Sequence, residues 1–489
     1  MFKELIKNTG IYIIISFFDQ ALIFLLWIAL AWWLAPAQIG IYALVLFVIE
    51  FFSAVNLFGL NAAIMRFYYV KKSVSSILSN ALIVFLCSSF LSLLLFFFLA
   101  KFIPLFIPGL SNILEENLFL FLAIIFTNSI VNFAIAHYTA LKKAILYAKL
   151  QLLKLSFFCF FSLIVVYFGF GILGIFYALL FSSLLVAILF LNDERKMLSL
   201  RVISFQTMKD ITSYGFPLML YTSLGVVMVY FSRLLLDRYT DLTTLGVYSF
   251  FLMLTLQVNG LWSSFNRAWT PEVFSKLSED KEKAIENVKL MAFLSSFFYL
   301  LVLALLIIFG ELFFFKILFK EIYLSNLYIF YILLLGPLFS GIYTATYPLY
   351  YYKEKTKIIL FLSLILSSVN IVLTFFMIKF FGQNGAALSF FIATMLMTIV
   401  YLFTFKKIVQ IPRQIINWVL LLSGLMTISV LIFLKTFSSI LFLLFIIFGI
   451  FLVYRIGNLN KQKYLFINLL KGAKEKLWPK IGTTTQNQK

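Results

Sequence analysis

The chain has 489 residues, 63% of them hydrophobic and only 12% charged, with a mean hydropathy of +1.05. Soluble globular chains average about 45–50% apolar and about 25% charged, so there is too little polar material here to cover a water-facing surface. The 62 phenylalanines exclude disorder. This is the composition of a polytopic membrane protein, and the net charge of +20 has to be explained in that setting.

A spanning helix needs about 20 mostly apolar residues. Fourteen such runs occur in chain order, at roughly 11–34, 39–60, 79–100, 117–139, 152–170, 171–191, 212–235, 243–265, 288–310, 325–350, 358–379, 384–405, 416–434 and 438–454. The first is too long for a cleavable signal peptide, and Trp32-Trp33-Leu34-Ala35-Pro36 after it reads as an interface belt and turn. Cys87 and Cys159 lie in apolar runs and imply no disulfide framework. The single histidine, His137, leaves no histidine cluster for a metal.

The two tails and the even-numbered gaps between runs hold 32 of the 39 basic residues. The odd gaps hold the other seven: Lys101, Arg233, Arg238, Lys316, Lys320, Lys379 and Lys435. Basic residues stay cytoplasmic. The pattern therefore predicts an even number of spans, both termini in the cytoplasm, and a multi-pass protein of the inner (cytoplasmic) membrane. The positive charge then serves topology and anionic headgroups rather than nucleic acid.

Residues 1–200 and 205–405 look like two copies of one six-helix unit. Lys3-Glu4-Leu5 matches Lys209-Asp210-Ile211, and Gly40-Ile41-Tyr42 matches Gly246-Val247-Tyr248, both at an offset of 206. Gly171-Ile172-Leu173-Gly174 matches Gly382-Gln383-Asn384-Gly385 at 211. Six spans per copy give the copies one orientation, with a cavity between them. The expected fold class is an all-α bundle of about fourteen transmembrane helices. It divides into an N-terminal lobe (1–200), a C-terminal lobe (201–410), two additional helices (411–455) and a basic cytoplasmic tail (456–489). No selectivity-filter sequence argues for a channel, and no Walker residues or soluble domain argue for ATP hydrolysis. Two rocking halves suit a carrier.

The chain resembles the multidrug/oligosaccharidyl-lipid/polysaccharide (MOP) exporter superfamily, and within it the polysaccharide flippases of the Wzx type. The resemblance rests on topology and on diffuse motifs. These are Lys7-Asn8-Thr9-Gly10, Leu34-Ala35-Pro36 with Gly40-Ile41-Tyr42, Phe58-Gly59-Leu60 with Arg66-Phe67, Gly246-Val247-Tyr248, Phe265 through Trp269 with Pro271, and Gly382 through Ala387. It implies a MATE-like pair of six-helix lobes that moves an undecaprenyl-diphosphate-linked oligosaccharide, such as an O-antigen, capsule or exopolysaccharide repeat unit. The movement is from the cytoplasmic to the outer leaflet, with a polysaccharide polymerase as partner. A drug/cation antiporter of the same fold and a lipid II flippase are the alternatives. A membrane-embedded glycosyltransferase or ligase would need an acidic motif or a large outer loop. The longest outer segments, about 101–116 and 311–324, are short, so no enzyme is expected.

Such a substrate demands cations for the diphosphate, polar and aromatic surfaces for sugar, and a lateral opening for the lipid. Charged groups inside spans are costly and mark function. Asp19 in span one and Glu50 in span two are candidate proton or sodium sites, the only cofactor-like requirement expected; the alternative is a bond to a neighbouring helix. Arg66 and Arg267, at the cytoplasmic ends of spans two and eight, could grip the diphosphate or simply anchor the topology. Arg233 is the better cavity cation, unless it pairs with Asp237 at i+4. Lys154 reads as a snorkelling lysine. Asn128 and Asn132 share a face of span four, and Gln257 and Asn259 lie in span eight. They could line the cavity or bond helix to helix, and Asn370 looks structural. Gly336-Pro337 could hinge span ten. Tyr347 and Tyr350–Tyr352 read as an interface belt, and residues 461–477 as a lysine-rich surface stretch.

Overall fold

A computed structural model describes residues 2–71, 74–141, 143–195, 200–279, 295–296, 298–306, 318–344, 356–409 and 447. Among them no strand occurs. The helices are α1 (Phe2–Trp33), α2 (Pro36–Leu57), α3 (Leu60–Lys71), α4 (Val74–Leu99), the short α5 (Ile103–Phe106) and α6 (Ser111–Glu116), α7 (Leu118–Ala140), α8 (Ala144–Tyr167) and α9 (Gly171–Glu194). The second half continues with α10 (Phe205–Tyr239), α11 (Leu242–Glu279), the one-turn α12 (Glu321–Leu324), α13 (Leu327–Thr344) and α14 (Thr356–Val409). Eight stretches among the described residues are long and apolar enough to cross a membrane, and Phe17–Trp33 and Leu327–Ile342 are shorter apolar helices. Expected spans one to eight and ten to twelve fall on these helices, and residues 298–305 are helical within span nine. Spans thirteen and fourteen, the tail, and Tyr347 and Tyr350–Tyr352 lie outside the described residues.

The helices run past several apolar runs. Span two ends in a break at Phe58 (φ 48°) and Gly59 (φ 69°), after which α3 continues. The expected hinge in span ten is a continuous helix, with Pro337 inside α13 and its carbonyl accepting a bond from the Ser340 hydroxyl at 3.0 Å.

The two lobes repeat one another in their packing. In the first, α1 lies against α8 and reaches across to α11; in the second, α10 lies against α14 and reaches across to α2. The matched glycine motifs hold equivalent positions. Gly171 opens α9 at φ 58° and Gly382 breaks α14 at φ 56°, a left-handed conformation that glycine adopts without the Cβ penalty.

Two close backbone crossings join the lobes. At the end of the bundle carrying the exposed Trp32 and Trp33, Gly40 of α2 meets Gly246 of α11, where a Cβ on Gly246 would overlap the Pro36 carbonyl. At the opposite, basic end, a Cβ on Gly59 would overlap the Gly215 carbonyl of α10. The segment between the lobes is also pinned. The buried Asn80 of α4 accepts the Ser204 N–H at 2.9 Å and donates to the Val202 carbonyl at 3.1 Å. In the turn between α10 and α11, Asp241 caps α11, accepting the Thr244 N–H at 3.0 Å and its hydroxyl at 2.6 Å. The Thr244 hydroxyl, foremost, holds the Asp241 carboxyl below its ordinary value of 3.8.

Gly246→Val should destabilise the detergent-solubilised protein by about 1–3 kcal/mol through overpacking. Gly225→Ala, with open space around it, should be neutral or stabilising by up to about 1 kcal/mol; thermal unfolding compares the two. Asp241→Ala should cost about 1 kcal/mol as a lost cap. Because the folded-state value is depressed, that gap is present above the unfolded value of 3.8. It closes as the pH falls below it, which a series of melts against pH would show.

Candidate substrate cavity and charge network

A cavity of about 380 Å³ lies between the lobes, walled by Glu50, Ser53, Ala54 and Leu57 of α2, Gly59, and Asn61 and Met65 of α3. Asn132, Ile135, Ala136 and Thr139 of α7 and Thr222 and Val226 of α10 complete it. The wall is mixed: four helices, α2, α3, α7 and α10, turn small hydroxyl and amide side chains into an otherwise apolar lining. Six of its thirteen residues bear a hydrogen-bonding side chain, and Glu50 is the one charged group in it among the described residues.

Behind that wall lies a network of charges. Lys154 of α8 donates to Asn128 Oδ1 at 2.8 Å. The same amide donates to Ser53 Oγ of α2 at 3.4 Å, with Glu50 beside it on that helix. This corrects the reading of Lys154 as a snorkelling lysine: its ammonium turns inward because buried hydrogen-bond acceptors wait there. On the other lobe, Arg233 is only 2% exposed. Its guanidinium sits over the Tyr230 ring, 4.6 Å from the centroid. Arg233 does not pair with Asp237; no carboxylate lies within 4 Å of it among the described residues. Asp237 instead crosses to the first lobe, where the Gly109 N–H donates to both its oxygens at 3.1 Å. Lys320 makes a second bond at that end, to the Leu34 carbonyl at 3.1 Å.

The other expected site residues are dispersed. Asp19 of α1 is buried near Gln151 of α8, its Oδ1 without a partner. Arg66 is exposed at the basic end, its guanidinium 4.5 Å from the Tyr214 ring centroid across the lobe boundary. Arg267 lies on α11, with its side chain outside the described residues. Asn259 accepts a hydrogen bond from the Tyr299 hydroxyl at 2.9 Å, a bond between helices. Gln257 does not line the cavity, and its Oε1 has no partner. Asn370 accepts from Thr374 at 3.1 Å and faces a separate void of about 200 Å³ inside the second lobe. Sequence reasoning missed Asn61 and Thr139, which sit at the ends of apolar runs, and Thr222, a lone threonine in mid-run, none of which carries a signal of its own. It also missed the buried chain in which Tyr68 meets His137 Nδ1 at 2.7 Å and Glu194 lies 3.5 Å from His137 Nε2.

The chain belongs to the polysaccharide biosynthesis protein family, whose sequence model matches residues 29–325. Among curated protein sequences none matches it. Its fold is that of solved MOP-superfamily transporters. A lipid II flippase, MurJ, in an inward closed conformation, superposes at a TM-score of 0.67 with 17% identity, over 94% of this chain and 99% of that one. An inward-facing MATE family multidrug resistance transporter gives 0.62 and 16%, over 82% and 98%. A MOP superfamily transporter from Pyrococcus furiosus, described as having a binding pocket of reversed polarity, gives 0.57 and 18%, over 83% and 95%.

Asp237→Ala removes both acceptors of the Gly109 amide, and a buried amide left unpaired costs about 1–3 kcal/mol. The variant should melt lower, and hydrogen exchange over residues 107–112 should accelerate.

Proposed function

We propose that the protein moves an undecaprenyl-diphosphate-linked oligosaccharide, the repeat unit of an O-antigen, capsule or exopolysaccharide, across the inner membrane by alternating access. The basic end is the cytoplasmic one, and both termini lie there. The lobes are residues 1–200 and 201–410, followed by two further spans at 411–455 and a basic tail at 456–489. The observation that carries the reading is the inter-lobe cavity with amide and hydroxyl groups on its wall. Asn61, Asn132, Ser53, Thr139 and Thr222 suit sugar hydroxyls, whereas an antiporter for apolar drugs has little use for so many hydrogen-bonding groups. The family assignment supports the same class of substrate.

The diphosphate needs cations, and Arg233 is the one set deepest. Its guanidinium is sealed while the lobes are closed and becomes accessible as α10 moves away from α2. Arg66 and Arg267 meet the headgroup at the cytoplasmic mouth. Asp19, buried with one bare oxygen, carries the coupling proton or sodium ion. The flipped product passes to a polysaccharide polymerase.

Cells lacking the gene should accumulate lipid-linked oligosaccharide on the cytoplasmic face of the membrane; loss of drug resistance alone would favour the antiporter. In complementation, Arg233→Lys should retain a measurable fraction of transport and Arg233→Ala should abolish it. Asn132→Leu should lower transport several-fold with an unchanged melting midpoint, because its side chain faces the cavity.

A further inference from the structure

A lysine inside a span ordinarily lays its stem along the lipid and leaves its ammonium at the headgroups. Lys154 instead turns into the first lobe, and its Nζ donates to Asn128 Oδ1 at 2.8 Å. The other end of that amide is turned toward α2, where the Glu50 carboxylate stands beside it. Among the described residues no carboxylate lies within 4 Å of the ammonium. The two opposite charges therefore share Asn128 as a bridge rather than touching. The arrangement has one sense only: the amide oxygen must face the donor-only ammonium, and the amide nitrogen must face the acceptor-only carboxylate. Ser53, which accepts from the same nitrogen at 3.4 Å, fixes the amide from a third side.

A bare carboxylate at mid-membrane is costly and is stabilised by an opposite charge. A mobile ion is one way to supply it. Here a tethered ammonium is already in place, and the acid and base of the lobe cancel. We propose that Lys154, acting through Asn128, is the built-in counter-cation of Glu50, standing where a sodium ion would otherwise bind. This assignment rests on the arrangement of the three side chains and is independent of the substrate transported. It makes Lys154 a positioning residue: it holds the Glu50 carboxylate against the cavity wall while that wall is shaped for sugar.

The test is a double-mutant cycle on full-length protein purified in detergent, read as the thermal midpoint and as the yield of monodisperse protein. Lys154→Met and Glu50→Gln should each lower the midpoint by several degrees. Glu50→Gln/Lys154→Met should recover most of the loss, because no unpaired charge remains. Additive losses would overturn the pairing. If Lys154→Met yields no folded protein, recovery of yield in the double variant supports the proposal, and a double variant no better than the worse single one overturns it. A second arm compares the wild-type midpoint in sodium chloride and in choline chloride at equal ionic strength. Equal values are expected. A sodium-specific rise that Glu50→Gln abolishes would show a free ion at this carboxylate and end the assignment.

Discussion

Within a bilayer the hydrophobic effect does not draw one helix to another, because lipid tails are as apolar as leucine. Association depends on close approach of backbones, and in this protein two pairs of small residues allow it. Gly40 against Gly246 brings the lobes together at one end, and Gly59 against Gly215 brings them together at the other. The cavity exists because the contact is made at the two ends and relaxed between them. At the Trp32 end the crossing is reinforced by Asp237 on the Gly109 amide and Lys320 on the Leu34 carbonyl. At the basic end Arg66 lies over Tyr214. Each end is held by a different set of contacts, so the two can part independently.

Polar groups placed in this setting must find partners within the protein, since lipid supplies none. That requirement links three helices of the first lobe, α8, α7 and α2, through Lys154, Asn128 and Ser53. It also separates two kinds of asparagine. Asn128 and Asn259 spend their hydrogen bonds on neighbouring helices. Asn132 keeps its side chain on the cavity wall.

Much of the fold was legible in the chain itself, because hydrophobic length is a strong signal and glycine has few reasons to recur in register. The match of Gly40 with Gly246 proved to be a physical contact, and the match of Gly171 with Gly382 a shared left-handed turn. Depth in the bundle was less legible. Lys154 lies near the start of its apolar run, where a lysine usually points outward, and only the position of Asn128 on another helix reveals that it points in. The alternative weighed for Arg233, a pair with Asp237, assumed that a helical neighbour is the nearest partner. The partner of Asp237 is a loop amide 128 residues away in the chain, and no local pattern encodes it. Of the candidate site residues, Glu50 and Asn132 reach the cavity. Asn61 could not be told in advance from an ordinary helix-end polar residue, nor Thr222 from a threonine bonded back to its own helix.

The clasp of Asn80 on Ser204 and Val202 bears on how two rocking halves can be one molecule. A slack tether would let the second lobe slide or twist freely against the first. Held to α4 a few residues before α10 begins, the joint behaves as a fulcrum. On the alternating-access reading proposed above, it would restrict a swing of α10 to rotation about a fixed point near the basic end, with displacement growing with distance from that point. The far rim, not the near one, would then travel the greater arc.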